Sequence, residues 1–215
     1  MTLLYQTGLL QSIAYLMGER TVNATTSGAR ADFLQKTIEE AYKAYPWRFA
    51  RTTATVPIAS GIATLPTLYD NSHPLDVLYT DPGGTQYTLN EIEPGDKDLV
   101  IDGDFAFWIT AQPDGSFLLK TKDTQPGAVA VSFQQTAPVL DSANTVGVPY
   151  PSAMTLAYGA RRFVKLSQNP DADISQDEAI FQQRLAKDIA AEQVTRARKR
   201  HRSRQFLTGR STGDF

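Results

Sequence analysis

A change of texture part-way along the chain limits the possible folds more than any other feature. Eight short runs rich in β-branched and aromatic residues lie at 52–56, 62–65, 77–79, 87–89, 99–101, 105–110, 117–120 and 129–133. Between them stand Ser60-Gly61, Pro82-Gly83-Gly84, Pro94-Gly95, Asp102-Gly103, Pro113-Asp114-Gly115 and Pro126-Gly127, residues that turn a chain because they supply positive φ, a fixed φ or a local side-chain acceptor. Short strands at such spacing predict a small antiparallel sandwich or barrel. Its clearest hairpin crosses Pro113-Asp114-Gly115, bringing Phe105, Phe107 and Trp108 towards Phe117, Leu118 and Leu119.

Both flanks of this region have helical periodicity instead. Leu3, Leu4, Leu9, Leu10, Ile13, Leu16 and Met17 predict a first helix that stops at Gly18. Leu34, Ile38, Ala41, Tyr42 and Tyr45 trace a second, which Pro46 ends because the residue before proline is pushed out of the α region. Ser152 is placed to cap a third helix, with Leu156, Ala160, Phe163 and Val164 on one face and Asn169-Pro170 as its stop. Ser175 and Glu178 have the spacing of a capping box, opening a fourth helix with Phe181, Leu185, Ile189 and Val194 inward.

The expected fold is therefore α+β: a four-helix domain from residues 1–50 and 150–195, an inserted β-sandwich or barrel module at 51–149 projecting from it, and a basic C-terminal tail at 196–215. Trp47 and Phe49, just after the helix-ending proline, form the structural junction between the two layers.

Charge is distributed unevenly along this order. Residues 52–141 carry 3 Lys+Arg against 12 Asp+Glu, a net of −9, whereas residues 151–215 carry 12 against 7, a net of +5. The overall net charge of −2 conceals this polarity, which suits a part in an oriented assembly. Arg196, Arg198, Lys199, Arg200, Arg202, Arg204 and Arg210 face a single acid, Asp214, in the last segment.

Several chemistries lack their raw materials. There are no cysteines, which excludes disulfides, thiol nucleophiles and cysteine-held metals. The apolar N-terminus has no basic residue before it and is interrupted by Gln6, Thr7, Gln11 and Ser12, so it reads as neither a signal peptide nor a membrane span. His73 precedes a proline in a loop, and His201 lies within the basic segment; neither has a spaced partner for a metal site or a triad. The acids of Asp96-Lys97-Asp98 and Asp102-Gly103-Asp104 could approach a hard cation, but their spacing completes no calcium loop, and they read as solvated turns. Pro113-Asp114 lacks a following acid-x-lysine, and Pro82-Gly83-Gly84 lacks the lysine and helix of a phosphate cradle. The expectation is a protein that is not an enzyme and needs no cofactor or metal.

Tyr45-Pro46-Trp47-Arg48-Phe49 leading into an acidic β module, followed by a late helix with Ala157-Tyr158-Gly159-Ala160-Arg161-Arg162, resembles the head-to-tail adaptors of tailed bacteriophages, the gatekeeper or tail tubular protein A family. The likeness runs over nearly the whole chain as an order of elements. It implies a virion protein at the head–tail interface, assembled in the host cytoplasm as a dodecameric homo-oligomeric ring beneath the portal protein. A distal tail or stopper protein would bind below, and DNA would pass transiently through the lumen. The family has no catalytic motif to carry over. Its C-terminal segment commonly docks on the portal, which gives Arg196, Arg198, Lys199, Arg200, Arg202, Arg204 and Arg210 a partner. Arginine favours planar, bidentate pairing, so an acidic protein surface is a fitting dock. Asp96, Asp98, Asp102 and Asp104, on turns of the acidic module, are the lumen-facing candidates.

The alternative from another class is a nucleic-acid-binding accessory protein that grips DNA with its basic C-terminal helix and tail. The acidity of the remaining chain argues against free DNA as the main ligand. A third reading, a cation- or carbohydrate-binding β domain on a helical base, rests on the acidic turns alone.

Overall fold

The computed structural model describes residues 3–22, 24–99, 105–122 and 127–208, with side chains on the last helix described through Arg196. In chain order its elements are β1 (Leu3–Leu4), α1 (Gln6–Leu16), α2 (Ala24–Lys43), β2 (Arg51–Ile58), β3 (Ile62–Thr64), β4 (Asp76–Thr80) and β5 (Gln86–Glu91). A 3-10 helix at Pro94–Leu99 follows, then β6 (Ala106–Ala111), β7 (Phe117–Thr121), β8 (Gly127–Gln134), β9 (Val148–Pro149), α3 (Ala153–Gln168) and α4 (Ser175–Thr208). The protein is a mixed α+β structure with a nearly closed seven-stranded sheet. It divides into a unit formed by Met1–Phe49 with Ala137–Phe215 and a second formed by Ala50–Thr136. The stretch at 137–149, assigned to the β module on sequence texture, thus belongs with the helices. There β9 pairs antiparallel with β1, and the Leu140 amide donates to the Gln35 side chain of α2.

In the β unit the strand order is β2-β8-β4-β5-β6-β7-β3. Ser60 and Gly61, both at positive φ, close the tight turn from β2 to β3, as the sequence dipeptide leads one to expect. Gly115, at φ 82, does the same between β6 and β7, while the Asp114 carboxylate accepts from the amide and hydroxyl of Ser116. That local bonding accounts for Pro113-Asp114-Gly115 as a hairpin.

Two strand expectations need correction. The sheet is not wholly antiparallel, because β5 and β6 pair in parallel. The long connection at 92–105 permits this, since parallel neighbours need a crossover and not a hairpin. The run predicted as a strand at 99–101 is not seen as one: Leu99 ends the 3-10 helix, and residues 100 and 101 lie outside the described residues. Val77, Phe107, Leu119, Val129 and Val131, each at most 1% exposed, form the centre of this unit's core. Tyr69 borders it, its hydroxyl pushed up to about 12, chiefly by burial.

In the helical unit α3 packs against α1, α2 and α4. The first helix begins later than its periodicity suggests, because Leu3 and Leu4 are drawn into the ribbon with β9. Leu9, Leu10, Ile13 and Ala14 are its buried face. Ser152 caps α3 as expected, its side chain accepting from the Thr155 amide at 3.3 Å.

Buried Arg30 of α2 reaches back to Glu19 with two bonds of 2.7 and 2.6 Å. This bidentate pairing holds the Glu19 carboxyl below its ordinary value of 4.5. A carboxyl depressed in the folded state stabilises the fold above its unfolded value and loses that contribution as pH falls through the folded one. Acidification from about pH 5 to about pH 3 is therefore expected to lower the melting temperature of the wild type more than that of Glu19→Gln. Scanning calorimetry across that range checks this, and parallel curves would remove the pair from the protein's acid sensitivity.

Candidate functional site

The candidate site is α4, 34 residues long: as far as Arg196 one face is fastened to the helical unit turn by turn, and the backbone helix continues to Thr208. The capping box read from the sequence does not form. Asp173 takes the cap, accepting from the Ser175 amide at 2.9 Å. Hydrogen bonds from Ser175 hold its carboxyl below the usual range. Glu178 is free to turn elsewhere, and it pairs with Arg162 of α3 and accepts from Gln182 at 2.7 Å.

Arg162, only 5% exposed, is the ionic centre of the α2–α3–α4 packing. Its guanidinium joins Glu40 of α2 to Glu178 of α4, and its Nε donates to the Gly159 carbonyl at 3.0 Å. The rings of Phe163 and Phe181 lie 4.6 and 4.5 Å from it. A charge so far from water requires this full set of partners. Asp177, also buried, is matched by Arg161 at 3.3 Å and by Lys165. Gly159 allows the close crossing, since a Cβ there would sit 2.3 Å from Thr37 Cγ2 and 2.8 Å from Phe181 Cε2. The Ala157–Arg162 stretch singled out in the sequence is therefore a helix-packing element.

Further along α4 the inner face turns from apolar to polar. Phe181 and Leu185 are buried. Arg184 then lies over the Tyr158 ring at 4.9 Å, and Asp188 accepts from the Thr155 hydroxyl at 2.8 Å. Burial pushes the Asp188 carboxyl above the usual range. One turn on, Glu192 Oε1 lies 3.7 Å from both Arg48 Nε and Arg196 Nε, an electrostatic contact longer than a hydrogen bond. Arg196 itself donates to the Pro46 carbonyl and lies over the Tyr45 ring at 5.0 Å. The sequence places Val194 inside, but it is 50% exposed. Glu192 and Arg196 occupy the inner face in its place, continuing the spacing of Phe181, Leu185 and Asp188.

These contacts end on the aromatic corner. Trp47 is fully buried, its indole N–H donating to the Ala41 carbonyl at 2.7 Å. It stacks on Phe49 with centroids 5.4 Å apart and meets Tyr45 and Tyr150 edge-on. Burial raises the Tyr42 and Tyr150 hydroxyls beyond the usual tyrosine range.

Past Arg196 the backbone remains helical to Thr208, where the charge pattern suggests a tail. Residues 196–208 contain no glycine or proline and are rich in arginine, a good helix former. Repulsion between like charges one turn apart costs only about 0.2–0.5 kcal/mol per pair, and cations suit a helix C-terminus. Arg198, Lys199, Arg200, Arg202 and Arg204 are thus on α4, whereas Arg210 lies outside the described residues. Asp96 and Asp98 are exposed on the 3-10 helix of the β unit; Asp102 and Asp104 lie outside the described residues.

A cleft of about 320 Å³ is lined by Gln6, Thr7, Leu10, Val22, Ser27, Gly28 and Ser142, none of them ionisable. Among the described residues no cluster of three or more His, Asp or Glu could hold a metal ion, and no helix is long and apolar enough to cross a membrane. Compared with known families and with curated proteins, the chain matches no family model and no curated protein.

Proposed function

We propose that this protein is a head-to-tail adaptor of a tailed bacteriophage, an α+β ring subunit that fastens to the portal protein through the basic end of α4. The observation that carries this reading is the continuation of α4 as one helix from its packed part into the basic segment. Up to that residue its inner face is partnered within the helical unit, and beyond it Arg198, Lys199, Arg200, Arg202 and Arg204 follow on a continuous helix. A basic rod that the fold holds at its base is suited to an acidic dock. The placement of a continuous β segment between two helical segments supports the same reading.

In this reading copies of the chain close into a dodecameric ring, a distal tail or stopper protein binds below, and the genome passes through the lumen without any catalytic step. The protein acts in the virion at the head–tail junction, after assembly in the host cytoplasm. Electron microscopy of the purified protein mixed with portal-bearing heads tests this directly. Twelvefold density on the portal is expected, and heads that stay bare at saturating protein would overturn it.

The basic end of α4 also favours a second reading, a nucleic-acid-binding accessory protein. Binding of the isolated protein to duplex DNA, falling steeply as salt rises, would favour it over the adaptor, since phosphate neutralisation releases counterions.

The acidic β unit adds a prediction about the channel. If its exposed turn acids line the lumen, replacing Asp96 and Asp98 with lysine leaves ring assembly intact and slows DNA ejection at low salt. The difference shrinks as salt rises, because the Debye length is already ~8 Å at physiological ionic strength. Equal ejection rates at low salt would place these acids away from the DNA path.

A further inference from the structure

We propose that Arg196, the first arginine of the basic segment, is a positioning residue that orients the docking helix and does not itself meet the partner; this rests on the adaptor reading. Three contacts converge on its guanidinium. It donates to the Pro46 carbonyl, lies 5.0 Å from the Tyr45 ring centroid and shares the Glu192 carboxylate with Arg48. Pro46 and Tyr45 are part of the corner whose base is the fully buried Trp47, so the clasp is made to a rigid support. Glu192 is the last acid before Asp214. The contacts of α4 thus reach the residue at which a run of sequence free of acids and rich in arginine begins.

The chemistry of the clasp calls for arginine. A guanidinium can donate in its plane to a carbonyl and at the same time lie against an aromatic face, whereas a lysine ammonium offers a point charge and cannot reproduce both contacts. Holding α4 at this turn sets the direction in which the helix runs on through residues 197–208. A multivalent dock gains from such preorganisation, because the basic side chains need not be brought into register as they bind.

The test uses the full-length chain with Arg196→Ala, Arg196→Lys and Tyr45→Leu, the last keeping every charge while removing the ring. Amide hydrogen exchange read by mass spectrometry reports on 192–204, and pull-down with portal-bearing heads reports on docking. Expected for Arg196→Ala is about tenfold faster exchange in that segment, the change in local opening that loss of an anchoring contact brings. Arg196→Lys and Tyr45→Leu should fall between it and the wild type, with docking weakened in the same order. Unchanged exchange together with lost docking would make Arg196 a contact residue and overturn the proposal. Unchanged exchange and unchanged docking would show that the clasp orients nothing. Should the wild type not bind heads at all, the adaptor reading fails, while the exchange arm still decides whether the clasp holds α4.

Discussion

Removing residues 197–215 is expected to leave a protein that folds and melts like the full-length chain but no longer joins portal-bearing heads. The stability half of this expectation follows from where α4 makes its contacts. Among the described residues of α4 the buried apolar side chains are Phe181 and Leu185, and these, with Arg196 and its contacts to Pro46 and Tyr45, are retained in the truncated chain. The binding half follows from what is removed: Arg198, Lys199, Arg200, Arg202, Arg204 and Arg210, with one acid, Asp214, among them. Exposed ion pairs contribute about 0.2–1 kcal/mol each, so a set of this size contributes a few kcal/mol when it engages together, a loss on the order of a hundredfold or more in affinity. Sedimentation of heads with bound adaptor, at low and moderate salt, measures it. A truncated chain that binds portal with unchanged affinity would remove the basic helix end from the mechanism.

Trp47→Ala is expected to be the most damaging single substitution in the helical unit. Truncating a buried aromatic of this size costs ~3–5 kcal/mol. Here the change also leaves the Ala41 carbonyl without its indole donor and removes the stacking partner of Phe49 and the edge contacts to Tyr45 and Tyr150. At roughly 2–4 °C per kcal/mol for a chain of this size, the melting temperature should fall by roughly 6–20 °C. Thermal melting followed by circular dichroism at a helix-sensitive wavelength gives the answer. Because Tyr45 also supports the Arg196 clasp, loss of docking in this variant would be secondary to the loss of fold. An unchanged melting temperature with lost assembly would instead mean that Trp47 faces a partner in the ring.

Local rules account for the elements that were legible. Ser60-Gly61 and Pro113-Asp114-Gly115 demand turns because positive φ and a side-chain acceptor at those positions suit little else. Ser152 caps α3 for an equally local reason, a side-chain oxygen one turn before an unpaired amide. The expectations that failed depend on partners distant in sequence. Glu178 leaves its capping box because Arg162, sixteen positions away on α3, is the stronger partner. Val194 yields the inner face of α4 to Glu192 and Arg196, because the surface opposite is by then Arg48, Tyr45 and the Pro46 carbonyl and not an apolar groove. A reader who extended the spacing of Phe181, Leu185 and Asp188 by position alone, ignoring hydrophobicity, would have arrived at Arg196.

The sequence by itself determined the order of helical and β segments, the positions of the tightest turns, the segregation of charge and the absence of cysteine chemistry, because each depends on residue type and short-range spacing. Only the tertiary structure decided that β5 and β6 run parallel, that residues 137–149 pack with the helices, and that Arg162 bridges Glu40 and Glu178. It also decided that Arg196, outwardly one more member of a basic run, is bound within the fold. The physical reason is the same in each case: a strand's direction or an ion's partner is chosen by whichever groups the folded chain brings within a few ångströms, and spacing along the sequence does not encode that neighbour.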